Sequence, residues 1–389
     1  MVSSRAYQKR NSDPVNIRFL IRNATSVLVP YIPGLSEETV RQRYVVDEIS
    51  KLGSNENPLG ASPTVAQAIA RAPSSVSFYP DPDCTVIRNA IAETLNVPPN
   101  HLVFGNGSEE ILSTLCHAFL NDTEEVILSS PTFSVYANCS TAMGAHIIDV
   151  PRRTDFAIDV DALLTALTAK TKLLFICNPN NPTGTLMDTE DFARLTWNLP
   201  SQTLLVVDEA YHEYARTNPD YPDSLATLSK RHSPWIILRT FSKAYGLAGA
   251  RIGYGICSNN AIAKQIDLLR TAFNVNHFAQ IAAQAAWADN EHVTRSVNHN
   301  NIQRHWLINK LTHLGLAPAA SSTNFIFVDT GRASSAICES LLKQGVIVKP
   351  WGGRYSSFIR VSVGTPKQNE HFIQALTMVF ARNPLIDAP

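Results

Sequence analysis

The chain lacks an excess of charge of either sign. Thirty-three Lys and Arg balance 33 Asp and Glu across 389 residues, for a formal net charge of zero. A basic footprint for nucleic acid is therefore not expected. Cysteines are few and scattered, at Cys84, Cys116, Cys139, Cys177, Cys257 and Cys338, with no CxxC pair and no Cys/His cluster. That leaves no pattern for a metal site or a disulfide framework, and isolated thiols suit a reducing compartment. No apolar run approaches the roughly 20 residues of a membrane span. Met1 to Asn16 is polar and lacks the apolar segment of a signal peptide. A cytoplasmic protein with no membrane and no nucleic-acid partner is expected. Charged residues are scarce at 17%, against 44% hydrophobic, so the core is large and part of the surface is expected to lie between subunits.

What is present is a repeating order of strand, turn and helix from about residue 100 onward. Short apolar runs at His101–Phe104, Glu125–Ser130, Lys172–Cys177, Thr203–Val207 and Trp235–Leu238 suit buried strands of a mostly parallel sheet. Helical stretches such as Asp159–Ala169 and Thr189–Asn198 lie between them. After Gly107-Ser108, with Ser108 as the expected N-cap, apolar residues recur with helical period at Ile111, Leu112, Leu115 and Cys116. The fold class is α/β, with a mostly parallel, doubly wound sheet. Past about residue 275, helices at Phe278–Ala288 and Val293–Leu314 precede strands at Asn324–Val328, Val346–Lys349 and Phe358–Val363, a smaller α+β pattern. The expected division is an arm and part of the small domain at 1–50, a large domain at 51–275 and the rest of the small domain at 276–389.

Four segments follow predicted strands, the edge of an α/β sheet where ligands collect. Gly105-Asn106-Gly107-Ser108-Glu109 opens a helix and offers backbone N–H groups to an anion. Asn178-Pro179-Asn180-Asn181-Pro182-Thr183-Gly184 is a rigid, amide-bearing loop. Asp208-Glu209-Ala210-Tyr211 places a carboxylate at the tip of a buried strand, which is costly without a partner. In Arg239 to Arg251, the hydroxyls of Thr240 and Ser242, the amine of Lys243 and the guanidinium of Arg251 stand among small residues. Together they describe a phosphate clamp with a reactive amine beside it.

These segments resemble fold-type I pyridoxal-phosphate aminotransferases. Pro30-Tyr-Ile-Pro-Gly34 and Ser54-Asn-Glu-Asn-Pro-Leu-Gly60 point to the histidinol-phosphate branch of that group. Further matching stretches are Tyr79–Pro82, Pro131–Tyr136 and Ile359–Thr365, so the resemblance runs from about residue 30 to 365. It implies pyridoxal 5′-phosphate as cofactor, held covalently by Lys243, which then carries protons during the reaction. It also implies that Asp208 pairs with the ring nitrogen, Tyr211 and Asn181 donate to the ring oxygen, and Tyr136 stacks on the ring, ahead of Phe133. The cofactor phosphate would rest on Gly107, Ser108, Glu109, Thr240, Ser242 and Arg251. In a homodimer with shared sites, Tyr79 would reach the neighbour's cofactor and Tyr31 the neighbour's substrate.

Substrate residues implied are Tyr31, Asn57, Asn181, Arg354 and Arg360. Arg360 also follows from strand alternation: Ile359, Val361 and Val363 share one face, Arg360 and Ser362 the other. Lys349-Pro350-Trp351 departs from the arginine-proline the resemblance implies, and Lys349 cannot grip an anion bidentately. The expected reaction exchanges an amino group between a small-molecule donor and a keto acceptor: L-glutamate and imidazole-acetol phosphate. An aromatic amino acid aminotransferase and a decarboxylase of a phosphorylated amino acid are the alternatives.

Overall fold

The alternation within each buried strand decides how the large sheet is covered. In the computed structural model, which describes residues 18–28 and 34–382, seven strands form one sheet. Their order is Leu102–Gly105, Gly253–Cys257, Trp235–Thr240, Leu204–Asp208, Thr171–Cys177, Glu125–Leu128 and His146–Asp149. All run parallel except Gly253–Cys257, which is antiparallel to both neighbours. Leu174, Ile176, Leu205 and Val207 face one hydrophobic cluster, while Leu173, Phe175, Leu204 and Val206 face another. Both faces are therefore covered, by helices such as Thr189–Trp197 on the first and Ser108–Phe119 on the second.

The smaller α+β part has an antiparallel sheet in the order Lys349–Pro350, Phe358–Ser362, Phe325–Asp329. Its core gathers Leu307, Ile326, Val361 and Phe372, together with Leu52 from the other end of the chain. Ser50–Lys51 pairs in parallel with Val346–Ile347, so early and late segments share backbone hydrogen bonds.

Helix His277–Ala288 departs from the sequence division at residue 276. Ala279, Ala282, Ala283 and Ala286 pack into the cluster of the large sheet. Small side chains on that face allow close approach to the sheet side of the molecule. The strand Gly253–Cys257 was not expected, because its glycines mask the apolar pattern. Gly253 is nonetheless required: a Cβ there would stand 2.4 Å from the backbone nitrogen of Ser108.

Candidate active site

Sheet register brings the four segments to one edge. Cys177 is paired with Asp208, Asp208 with Leu238, Thr240 with Gly253, and Gly253 with Gly105. The loops beyond these positions enclose a cavity of about 330 Å³.

Its anion end is built from backbone and guanidinium. Gly107, not Ser108, is the N-cap residue of Ser108–Phe119, with φ 81°. A Cβ on Gly107 would stand 2.6 Å from an Arg251 nitrogen, so the missing side chain is the space the guanidinium occupies. Arg251 itself has φ 60° and donates to the Ala248 carbonyl at 3.2 Å and to Ser242 Oγ at 3.5 Å. Thr240 Oγ1 donates to Ser242 Oγ at 3.0 Å and accepts from the Ser242 N–H at 3.1 Å. A helix start, two hydroxyls and a guanidinium lining one cavity fit a phosphate.

Lys243 lines the cavity, its Nζ 5.7 Å from the centre of the Tyr211 ring. Burial lowers its pKa to about 8, with the charge of Arg360 adding to the effect. The amine must be neutral to act as a nucleophile, and that fraction rises as pH climbs through this value. In the apoprotein, acetic anhydride should therefore acylate Lys243 with a midpoint near pH 8, about two units below an ordinary lysine. A midpoint with the bulk of the lysines would show that the side chain is solvated.

Asp208 is 4% exposed. Its Oδ1 accepts from the Ala210 N–H at 3.0 Å and its Oδ2 from the Tyr136 hydroxyl at 2.6 Å. Burial still pushes its pKa up, although both hydrogen bonds oppose the shift. Behind it, Glu209 pairs with Arg239 at 2.8 Å, both buried, a fixed ion pair beneath the loop that the sequence left without a role.

Tyr211 receives a 3.0 Å hydrogen bond from Asn55 Nδ2 on its hydroxyl oxygen. Asn181 Oδ1 accepts from Arg360 Nη1 at 2.5 Å. Arg360 Nη2 donates to the Gly53 carbonyl at 2.9 Å. The Arg360 guanidinium carbon lies 5.3 Å from the Phe325 ring centre and 5.9 Å from that of Trp351. Ile359, Val361 and Val363 are buried on the opposite face.

Gly107, Ser108, Glu109, Tyr136, Asn181, Asp208, Tyr211, Thr240, Ser242, Lys243, Arg251 and Arg360 thus share one cavity. Others do not, and some roles move. Tyr136 is buried, with one ring face against Phe175 at 5.0 Å and 8° and its hydroxyl committed to Asp208. Phe133, only partly buried and lining the same cavity, is the aromatic better placed to stack on a ligand. Asn57 is structural, donating to the Ala244 carbonyl and to Ser296 Oγ, both at 2.9 Å, and does not line the cavity. Asn55, with φ 54°, turns into the cavity in its place. Arg354 is exposed, outside the cavity, lying 4.9 Å from the Tyr355 ring. Lys349 and Trp351 line the wall instead. Tyr79 is 82% exposed and stacks on Phe273 at 4.5 Å, outside its own chain's cavity. Tyr31 lies outside the described residues.

The sheet, the clamped guanidinium and the lysine beside a buried carboxylate define an aminotransferase class. The chain belongs to the class I and II aminotransferase family, whose model matches residues 47–376. Within it, the chain is similar to histidinol-phosphate aminotransferase 3 of Rhizobium meliloti (strain 1021), 40% identical over 93% of this chain and 98% of that one. It is 38% identical to the histidinol-phosphate aminotransferase of Bacillus subtilis (strain 168), over 92% of this chain and 99% of that one. Among solved structures it resembles histidinol-phosphate aminotransferase from Sinorhizobium meliloti in complex with pyridoxal-5'-phosphate. That match has a TM-score of 0.85 at 28% identity, covering 93% of this chain and 98% of the other. Among the described residues, no helix is long and apolar enough to cross a membrane, and no acidic, His or Cys cluster could hold a metal ion.

Proposed function

We propose that the protein is a pyridoxal 5′-phosphate enzyme exchanging an amino group between L-glutamate and imidazole-acetol phosphate, to give L-histidinol phosphate and 2-oxoglutarate. The observation that carries this reading is one cavity lined by cations from separate elements. Arg251 stands at the helix start, and Arg360 with Lys349 stand as cross-strand partners in the small sheet, with the Lys243 amine also lining the cavity. A cofactor phosphate and a substrate anion can then be held at once. Lys349 is pushed below the ordinary lysine range by burial and by the charge of Arg360. A phosphate dianion between the two would relieve that repulsion.

When bound, pyridoxal 5′-phosphate supplies a carbonyl carbon that accepts the amino group and a ring that absorbs an electron pair. The chain does the rest. Thr240, Ser242, Arg251 and the N-terminus of Ser108–Phe119 hold the phosphate. Lys243 anchors the group through its amine and moves a proton at the substrate α-carbon. Asp208 would pair with the ring nitrogen and keep it protonated, Tyr211 and Asn181 would donate to the ring oxygen, and Phe133 would pack on the ring and help to exclude water. Arg360 orients the substrate's anion as a planar donor.

With glutamate as donor, imidazole-acetol phosphate should be the preferred acceptor over phenylpyruvate and 4-hydroxyphenylpyruvate. Preference for phenylpyruvate would replace this reading with an aromatic aminotransferase. Release of CO2 from a phosphorylated amino acid would replace it with a decarboxylase.

The same reading makes the enzyme a cytoplasmic homodimer with shared sites. Phe78, 75% exposed, and Tyr79, 82% exposed, support it, because two neighbouring aromatics in water favour burial by a second copy. Mixing inactive Lys243→Ala protein with an inactive Tyr31→Ala/Tyr79→Ala double variant should restore part of the activity. One site of each mixed dimer then has its lysine and its tyrosines from different chains. Absence of complementation, once subunit exchange is demonstrated, rules out a composite site.

A further inference from the structure

We propose that Tyr136 is a positioning residue, whose hydroxyl holds the Asp208 carboxylate ionised and correctly aimed at the ring nitrogen of the bound cofactor. The hydroxyl faces both the Cys177 thiol and the Asp208 carboxylate, and the carboxylate is the stronger acceptor. The hydroxyl approaches Asp208 Oδ2 to 2.6 Å, while Oδ1 is taken by the Ala210 N–H. An ionised carboxylate has no proton to give, so the phenol is the donor. Burial and the Asp208 charge push the phenol well up from its ordinary value, so it keeps that proton throughout the working range.

The phenol cannot swing away. Its backbone belongs to helix Ser134–Met143, its ring stacks on Phe175, and Phe133 abuts it edge-on at 5.7 Å and 85°. Three further titratable groups stand near Asp208. Cys177, its strand neighbour, holds its proton because burial raises the thiol to about 12. Glu209 adds negative charge and raises Asp208, and Lys243 lowers it. Glu209 is in turn held by Arg239.

A buried carboxylate that loses one of two donors becomes more basic. Opposite a pyridine nitrogen, a more basic carboxylate draws the shared proton toward itself. The Tyr136 hydroxyl therefore acts on where that proton rests. It bonds to Asp208, whereas Arg360 bonds to Asn181 and Gly53, so loss of the hydroxyl should affect turnover rather than substrate binding.

The inference rests on the ring-nitrogen role given to Asp208, and the experiment separates the two. The holoenzyme is loaded with cofactor labelled with ¹⁵N in the ring, and the nitrogen resonance is recorded with steady-state kinetics. In Tyr136→Phe the ring still packs on Phe175. The resonance should move toward that of an unprotonated pyridine, and kcat should fall about tenfold to a hundredfold, as for loss of a charge-assisted hydrogen bond. KM for the amino donor should stay within about twofold. Incorporating 3-fluorotyrosine at 136, a stronger donor of nearly the same shape, should move the resonance the other way. A packing role predicts neither shift. If Asp208→Asn moves the resonance while both Tyr136 replacements leave it in place, Tyr136 is only a packing residue and the proposal is wrong. If Asp208→Asn leaves the resonance unmoved, the role of Asp208 fails first, and this inference with it.

Discussion

Lys243→Ala should lose turnover by at least about three orders of magnitude, because one side chain supplies both the covalent anchor and the proton carrier. The fold should survive. The neighbours Phe241, Ala244 and Leu247 are buried and carry the packing of this loop, and Lys243 itself is only partly buried. Cofactor should still associate through Arg251 and the helix start, but without a covalent bond. Borohydride reduction of the wild-type holoenzyme, followed by peptide mapping, should place the cofactor on Lys243. The informative rival is Lys349, the other lysine lining the cavity. A label there would overturn the assignment of the anchor.

Arg360→Ala should lower kcat/KM for the phosphorylated substrate by roughly two to three orders of magnitude, since removing one partner of a buried charged pair costs about 3–5 kcal/mol. Two facts make the site sensitive. The guanidinium is only 8% exposed and lies between Phe325 and Trp351, so a lysine could not reproduce its flat, stacked geometry. It also holds Asn181, which would lose that partner. Cofactor affinity should change little, because the contacts among Thr240, Ser242 and Arg251 do not involve Arg360. Arg360→Lys should recover only part of the loss. Equal losses for imidazole-acetol phosphate and for phenylpyruvate would show that Arg360 does not discriminate by phosphate.

Strand alternation alone puts Arg360 on the cavity side, since Ile359 and Val361 face the core. The segments ending at Cys177, Asp208 and Thr240 were legible for a related reason: apolar runs ending in polar residues mark sheet edges. Two exchanges were not legible. Asn55 and Asn57 are two apart in one motif, and the left-handed backbone at Asn55 decides which amide enters the cavity. Phe133 and Tyr136 are three apart, and both face the same loop cluster. Which ring stays open depends on Phe175, a strand residue 39 positions beyond Tyr136 in the chain. Helix His277–Ala288 was assigned to the smaller part because composition changes there, whereas its alanine face packs on the larger core. Gly253–Cys257 went unseen because a glycine carries no apolar side chain, although its backbone completes the sheet.

The crowding around Gly253 and Gly107 bears on how freely this catalyst can be altered. At the cofactor end, adding a single methyl group at Gly253 would force the Ser108 backbone to move, and one at Gly107 would collide with Arg251. Near the substrate wall, Gly352 and Gly353 have no heavy atom within 4 Å of where a Cβ would stand. Gly352 keeps an ordinary backbone, so of the two it is the position that can accept a side chain without strain. Directed evolution on residues 349–355 can therefore sample new substrate preferences while the cofactor end stays fixed. The molecule separates a part that must be inherited unchanged from a part that can drift.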